Sequence, residues 1–356
     1  MHASACHDVL GLINCPYRFS LFDWKDRFAT QFFRANRIQI AGEVLVESLD
    51  VKILSGWGKY QTAEEMEINR KYEYDPEFVP LLCKWLYLGP KPSSVVVDVG
   101  CGSGYFTKII ARCMREEGKV VGIDPDRKLV QEAEKICERK HISNTRFKVG
   151  NVWKIPLESN YADLVVSHVV LSNIPRQFDA ILEMKRVAKI GGKVAVIDSA
   201  KGGGQYFPDG RLNELYDKFH KAFGMAIDKE WRQKLGMSSY IENFHFRIPQ
   251  LFLKAGLADI SLNGHLSTFL LCDTRRSTKE MKTYLKAKFS LWRKLAKRNK
   301  ECALVGGMKE EEFNELFQRY TDYLEDLITH HEKIKKTPEV NIVSRVIVCG
   351  AKDICI

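Results

Sequence analysis

The sequence predicts an α/β protein built on a doubly wound, mostly parallel seven-stranded sheet. Helical insertions follow strands five and six, and an extra helical segment precedes the sheet. Short runs rich in valine and isoleucine alternate with segments of helical periodicity from residue 95 to residue 200, which is typical of a parallel sheet covered on both faces. Right-handed crossovers between such strands give the doubly wound arrangement. A glycine-rich turn follows the first run directly, at the edge where such sheets bind ligands.

The strands are predicted from β-branched runs bounded by glycine, proline or polar residues. These runs are VVVDVG (95–100), KVVGID (119–124), TRFKVGN (145–151), ADLVVSH (162–168), KVAVIDSA (193–200), LADISLNGHLSTFLL (257–271) and NIVSRVIVCGA (341–351).

Helices are predicted where apolar residues recur every three to four positions. The segments are 75–87, 105–116, 126–140, 177–189 and 248–256. Asp75 is the predicted N-cap of the first segment, and Pro76 suits its first helical position. We expect the segment at 177–189 to end at Gly191 and Gly192, and the one at 248–256 to end at Gly256.

Four regions follow from these elements. Residues 1–74 form an N-terminal helical extension, 75–200 the ligand-binding core, and 201–255 a helical cap over the ligand edge. Residues 256–356 return to the core with its final strands and carry a basic helical insertion at 273–337. Long insertions at the ligand edge of a scaffold often act as lids.

Composition limits the class of protein. The chain has 356 residues, 45% hydrophobic and 28% charged, as in ordinary globular proteins. It contains no run of 18 apolar residues and no recognisable secretory signal, so we expect a cytoplasmic protein. The ten cysteines lack metal-ligand spacing, which predicts reduced thiols and no metal site. The aromatic, basic segment 18–39 leaves peripheral membrane contact as an alternative.

The net charge of +10 is concentrated in one stretch, residues 275–300, where eleven basic residues stand against Glu280 alone. We call this stretch the basic stripe. It could dock an acidic partner such as RNA, or it could be an ordinary solvated helix face.

The turn after the first strand carries the chemistry. Gly100, Gly102 and Gly104 stand at alternate positions, and Asp98 precedes them. This spacing differs from the dinucleotide fingerprint and from the phosphate-binding loop. A buried Asp98 would repel a pyrophosphate but pair with an ammonium or sulfonium. Asp124, at the end of the second strand, suits the hydroxyls of a ribose. The residues therefore predict a nucleoside-containing, cationic cofactor.

Four motifs in order then resemble those of class I S-adenosylmethionine-dependent methyltransferases, with a Rossmann-like methyltransferase fold. They are DVGCGSG (98–104), GIDPD (122–126), GNVWKIPL (150–157) and EMKRVAKIGGKVAVID (183–198). The most similar group includes the menaquinone and ubiquinone biosynthesis methyltransferases. The resemblance is strong over residues 75–200 and weak beyond them.

The resemblance implies a role for each matching residue. Asp98, Gly100 and Gly102 would line the methionine part of S-adenosylmethionine, within a turn completed by Val99, Cys101 and Gly104. The remaining residues of the implied cofactor site are Asp124 at the ribose, Pro125, Asn151 and Val152 at the adenine, and Ser167 near the sulfonium. Many relatives have Asp where this chain has Asn151, whose carbonyl can still accept a hydrogen bond from the adenine amino group.

His168 follows the fourth strand and is the candidate general base, needed only if the acceptor must first lose a proton. A packed histidine is the equal alternative. We expect the cap at 201–255, rich in aromatic residues, to enclose a small apolar or ring-bearing acceptor.

Two other functions stay open. One is an RNA or protein methyltransferase that docks through the basic stripe. It is not favoured, because Arg176 follows Asn173-Ile174-Pro175 where enzymes acting on nucleic-acid amino groups have an aromatic to stack a flipped base. The other is a non-catalytic, cofactor-binding partner subunit.

Overall fold

The computed structural model describes residues 62–74, 77–88, 94–114, 118–200, 203–235 and 244–353. The helices are α1 (Ala63–Asn69), α2 (Phe78–Trp85), α3 (Tyr105–Met114), α4 (Arg127–Arg139), α5 (Gln177–Val187), α6 (Gly210–Leu235), α7 (Phe244–Lys254), α8 (Thr278–Lys294), α9 (Ala296–Val305) and α10 (Glu310–Thr329). The strands are β1 (Val95–Val99), β2 (Lys119–Asp124), β3 (Thr145–Val149), β4 (Ala162–His168), β5 (Ala188–Ser199), β6 (Gly204–Tyr206), β7 (Leu257–Leu270) and β8 (Val340–Lys352).

One sheet organises the described residues, with strand order β3-β2-β1-β4-β5-β8-β6, and β7 pairs with the other edge of β8. The pairings from β3 through β5 are all parallel, whereas β8 runs antiparallel to β5, β6 and β7. The predicted doubly wound α/β fold is therefore confirmed. The strand order, not the chain direction, reverses between the parallel neighbours β1 and β4, so a crevice opens at their carboxyl ends.

The central parallel strands β1, β2 and β4 are buried because helices cover both faces of the sheet. Val97 and Val99 of β1 belong to one apolar cluster, with α5 and α7, while Val96 belongs to the opposite cluster, with α2 and α3. Alternate side chains of a strand point to opposite faces, so a run of valines supplies both clusters from the same strand. This is the physical reason that VVVDV has no polar alternation.

The helices of the two insertions pack into a separate apolar cluster, which we call the helical layer. It combines α6 with α8 and α10 through residues such as Phe219, Trp292 and Tyr320. Rings in this layer meet edge to face, for example Trp292 with Tyr320 at a centroid distance of 5.1 Å. Such geometry is favoured by the aromatic quadrupole.

Several sequence predictions need correction. The described sheet has eight strands, because the short β6 adds a pairing with the start of β8. The helix expected at 177–189 ends at Val187, and Gly191 and Gly192 lie inside β5. The expectation of reduced thiols fails at one pair, since a disulfide joins Cys83 of α2 to Cys113 of α3.

Some predictions fall outside the described residues. They are most of the N-terminal extension, including the aromatic, basic segment 18–39, and the proposed helix start at Asp75 and Pro76. Among the helices that are described, none is both long and apolar enough to cross a bilayer.

Candidate active site

A cleft of about 860 Å³, counted to its open mouth, lies at the carboxyl ends of β1, β2 and β4. This is the crevice where the strand order reverses, so the topology alone brings the ends of three strands together. The residues that line it are Met66, Arg70, Asp98, Gly100, Cys101, Gly102, Phe106, Asp124, Pro125, Leu129, Gly150, Val152, His168, Val169, Val170, Asn173 and Ile174.

The glycine turn forms the floor of the cleft. Its amides at Gly100 and Cys101 both donate to the carbonyl of Ile123, at 2.7 and 3.0 Å, which fastens the turn to the end of β2. Gly100 has a φ of +76°, and a Cβ there would lie 2.4 Å from Cγ2 of Val170. Only glycine fits both the backbone conformation and the space.

Gly104 serves the fold rather than the cleft. A Cβ at this position would lie 3.0 Å from Cβ of Ala133 and 3.1 Å from Cζ of Phe147. The residue therefore lets the start of α3 approach α4 and β3, and it does not line the cleft.

Asp98 is the penultimate residue of β1, and its carboxylate is fully buried. Its Oδ2 accepts a hydrogen bond from Oγ1 of Thr107 at 2.6 Å, whereas its Oδ1 is buried without a partner. Burial raises the pKa of Asp98 to about 7, although the Thr107 hydroxyl opposes the rise. A buried carboxylate oxygen without a donor is unfavourable, so this atom suits a cationic N–H group entering the cleft.

Asp124 ends β2 and is engaged on both oxygens. Oδ2 accepts from the Gly102 amide at 2.8 Å and Oδ1 from the Asp126 amide at 2.9 Å. Burial raises the pKa of this carboxyl to about 6, against the effect of the two amides. Each carboxylate oxygen can accept a second hydrogen bond, so Asp124 can hold a pair of neighbouring hydroxyls while it fixes the glycine turn.

Arg70, which caps the C-terminus of α1, brings a positive charge to the same cleft. Within the described residues we find no ion pair or hydrogen bond to its guanidinium. Its charge opposes the rise in the pKa of Asp98. The cleft thus presents a carboxylate and a guanidinium together, which matches the ammonium and carboxylate of an amino acid zwitterion.

These groups fit S-adenosylmethionine. Asp98 and Arg70 match its amino acid end, and Asp124 matches the ribose hydroxyls. Pro125, Leu129 and Val152 line the cleft beyond Asp124 and offer an apolar wall for the base. The thiol of Cys101 also lines the cleft, but burial, reinforced by Asp124 and Asp98, raises its pKa well above the usual value. It therefore stays protonated, and we assign it no nucleophilic role.

His168 ends β4 and faces the cleft from a ring cluster. Its Nε2 lies 2.5 Å from Oη of Tyr74, and its ring stacks on Phe106 with centroids 4.6 Å apart. Burial holds the pKa of His168 well below the usual value, and the charges of Arg345 and Arg70 add to the effect. The imidazole is therefore neutral at neutral pH. Burial likewise raises the pKa of Tyr74 to about 12.

Of the residues predicted from sequence, the cleft brings together Asp98, Gly100, Cys101, Gly102, Asp124, Pro125, Val152 and His168. Four others lie outside its lining.

The predicted site residues outside the lining are Gly104, described above, and Val99, Asn151 and Ser167. Val99 is buried in the sheet core. Oδ1 of Asn151 accepts from the amides of Trp153 and Lys154 at 2.9 and 2.7 Å, so this side chain closes its own turn. Oγ of Ser167 is buried without a hydrogen-bond partner.

Sequence reasoning missed Met66, Arg70 and Phe106. Met66 and Arg70 come from α1 and its C-cap, more than twenty residues before β1, and no motif marks them. The available signal for α1 was its capping box, Thr62 with Glu65, which marks a helix start but not a ligand site.

Residues 90–246 match the family model of a methyltransferase domain. A demethylmenaquinone methyltransferase of Bacillus cereus (strain ATCC 10987 / NRS 248) is 29% identical over 175 residues, which cover 48% of this chain and 73% of that protein.

Among solved structures, phosphoethanolamine N-methyltransferase 2 of Haemonchus contortus, in complex with S-adenosyl-L-methionine, superposes with a TM-score of 0.46 and 15% identity. That match covers 85% of this chain and 60% of the other. The YcgJ protein of Bacillus subtilis has a TM-score of 0.44 and 14% identity, covering 79% of this chain and all of the other.

Proposed function

We propose that this chain, a class I S-adenosylmethionine-dependent methyltransferase, transfers the methyl group to a small, apolar or ring-bearing acceptor by in-line displacement. One observation supports the cofactor half of this proposal above all others. The partnerless Oδ1 of Asp98 and the guanidinium of Arg70 line the same cleft as Asp124, so the cleft is complementary to an amino acid joined to a nucleoside.

The cofactor, when bound, supplies a methyl group on a sulfonium sulfur that leaves as a neutral thioether. The work of this chain is therefore to bind, align and exclude water. Asp98 and Arg70 would hold the amino acid end, and Asp124 the ribose. The turn at Gly100 and Gly102 would let the backbone approach the ligand closely, because no Cβ intervenes.

His168 lines the cleft and is the candidate to touch the acceptor, whereas Tyr74 is its hydrogen-bond partner. A histidine with a pKa well below its usual value is neutral but weakly basic. We therefore propose that His168 mainly accepts a hydrogen bond and orients Tyr74, and takes up a proton only from an acidic acceptor. His168→Ala under saturating acceptor should then lower kcat several-fold. An unchanged kcat in this variant would show that His168 has no role in the reaction.

A small-molecule acceptor is favoured because much of the basic stripe is engaged in ion pairs within this chain. Five of its eleven basic residues form close ion pairs with acidic partners within this chain: Arg275 and Arg276 with Asp273, Lys294 with Glu64, Arg298 with Glu65, and Lys300 with Glu310. Charges that are already paired attract phosphates weakly, so docking of RNA through this stripe loses much of its basis.

Calorimetry with S-adenosylmethionine and with its demethylated product tests the cofactor half, and we expect micromolar dissociation constants for both. The acceptor half is tested with cofactor labelled in the methyl group and a cell extract separated by size. Label should accumulate in the low-molecular-weight fraction. Label confined to RNA or protein would contradict the proposed acceptor class without touching cofactor binding.

A further inference from the structure

A second cavity, of about 990 Å³ counted to its mouth, lies in the helical layer. It adjoins the same helix as the cofactor cleft: Met66 of α1 lines the cleft, whereas Glu65 and Asn69 of α1 line the second cavity. No motif in the sequence marks this cavity, and the cofactor chemistry does not use it.

Aromatic rings from three helices form its walls. Tyr216, Phe219 and Phe223 come from α6, Trp292 from α8 and Tyr320 from α10. The ring of Trp292 meets those of Phe219 and Tyr320 edge to face, at centroid distances of 5.8 and 5.1 Å. Rigid ring walls of this kind favour a flat, ring-bearing occupant.

Two hydrogen-bond donors on these walls have no partner. The Tyr320 hydroxyl and the Trp292 indole Nε1 are both buried without an acceptor, in residues that are 2% and 8% exposed. A buried donor left without an acceptor costs about 1–3 kcal/mol. The indole nitrogen can only donate. Both atoms therefore suit an occupant that carries acceptor oxygens.

Lys288 adds a cation to the same walls. Its side chain is 12% exposed, and its Nζ lies 3.7 Å from Oε1 of Glu339, beyond hydrogen-bond distance. The two carboxylate oxygens of Glu339 are already occupied by Gln205 and Tyr323, both at 2.8 Å. Glu339 does not line the cavity, so the cavity faces the ammonium end of this ion pair.

The other cation on the walls is neutralised. Both terminal nitrogens of Arg298 donate to Glu65 at 2.7 Å, a bidentate pair that leaves no charge for a ligand. The positive potential of the cavity therefore comes from Lys288, next to the two partnerless donors.

We propose that this second cavity binds a small ring-bearing organic anion. The acidic oxygens of the ligand accept from Lys288, Trp292 and Tyr320, and its ring lies between the aromatic walls. The proposal stands on the groups of this cavity alone, so it holds whether the ligand is the methyl acceptor or a separate effector.

The test uses 1-naphthoate as the probe and 1-naphthylmethylamine as its cationic counterpart, titrated into the full chain by calorimetry with and without S-adenosylmethionine. We expect naphthoate to bind in both conditions and the amine to bind far more weakly. Tyr320→Phe should weaken naphthoate about tenfold, because it removes one hydrogen bond to a charged group. Thermal stability without ligand should change little, since the hydroxyl it removes donates to no acceptor within the described residues.

Tyr206→Phe, at an exposed tyrosine, is the matched control and should change nothing. Lys288→Met should abolish the preference for the anion, and if it fails to fold, Tyr320→Phe still decides. The proposal is overturned if naphthoate does not bind, if Tyr320→Phe binds it with unchanged affinity, or if saturating cofactor displaces it.

Discussion

The cofactor cleft and the second cavity are both candidate binding sites, but different elements of the fold form them. The cleft is built from strand ends and the turns after them, and its carboxylates at Asp98 and Asp124 are held by hydrogen bonds from residues nearby in the fold. The second cavity is built from side chains of α1, α6, α8, α9 and α10, with Tyr216 and Tyr320 more than a hundred residues apart. Backbone geometry defines the first region, and side-chain packing defines the second.

This difference has a consequence for function. Strand ends in a doubly wound sheet offer a preformed site, because the whole sheet fixes their positions. Packed helices can change rings and volumes with less effect on the fold. The sheet edge is therefore the more rigid of the two regions, whereas the helical layer tolerates more variation in its side chains.

The largest effect is expected at Asp124. Asp124→Ala removes the acceptor for the ribose hydroxyls and for the Gly102 amide at 2.8 Å. Hydrogen bonds to a charged group are worth about 1.5–3 kcal/mol each, so S-adenosylmethionine should bind at least about 100-fold more weakly. Calorimetry measures this, with Asp179→Asn, an exposed carboxylate, as the control. Equal affinities in the two variants would remove Asp124 from the site.

The next effect tests whether the cleft depends on backbone geometry. Gly100→Ala places a Cβ 2.4 Å from Val170 at a φ of +76°, whereas Gly191→Ala has nearly the same φ, +75°, and nothing within 4 Å. Both pay about 1 kcal/mol for the left-handed backbone, and Gly100→Ala adds about 1–3 kcal/mol of overpacking. In denaturant unfolding, the free energy of unfolding of Gly100→Ala should be clearly lower than that of Gly191→Ala. Equal stabilities would contradict this account of the turn.

A smaller effect is expected from pH. The pKa values of Asp98 and Asp124, raised by burial to about 7 and about 6, mean that both carboxyls are protonated in part below neutrality. The cofactor pairs with the ionised forms, so its affinity should rise about tenfold between roughly pH 6 and 7.5. Without cofactor, the free energy of unfolding should change in the opposite direction. The two carboxyls bind protons more tightly in the folded than in the unfolded state, so stability falls as the pH rises through this window. Asp98→Asn should flatten the upper part of the binding profile. A flat profile in the unmodified chain would show that the two carboxyls do not titrate there.

The smallest effect is expected on the exposed part of the basic stripe. Lys279 and Lys286 lie on the exposed side of α8, and their charge reversal to Glu should leave turnover unchanged within about twofold, because exposed charges contribute little. RNA retention at low salt is the accompanying measurement. Strong, salt-sensitive retention that these reversals abolish would revive the docking role of the stripe.

Much of the sheet and half of the cleft could be predicted from sequence. VVVDV could be assigned to a buried strand because its valines face the helices on both sides of the sheet. Asp98 and Asp124 could be assigned to one site because the strand ends of a doubly wound sheet share one edge. The end of α5 was missed, since Gly191 and Gly192 read equally as a helix stop and as the start of β5. Arg70 was missed because nothing near α1 in the sequence announces the cleft.

The sequence by itself determined the order of strands and helices, the glycine turn and the methyl donor. Each of these depends on residues close together along the chain, where spacing and backbone conformation fix the geometry. Tertiary structure alone decided that Arg70 and Asp98 line one cleft, that Tyr74 meets His168, and that about half of the basic stripe is paired internally. It also decided that Lys288, Trp292 and Tyr320 share a cavity. Such contacts join residues far apart in sequence, and they form only when helices pack, so no local pattern records them.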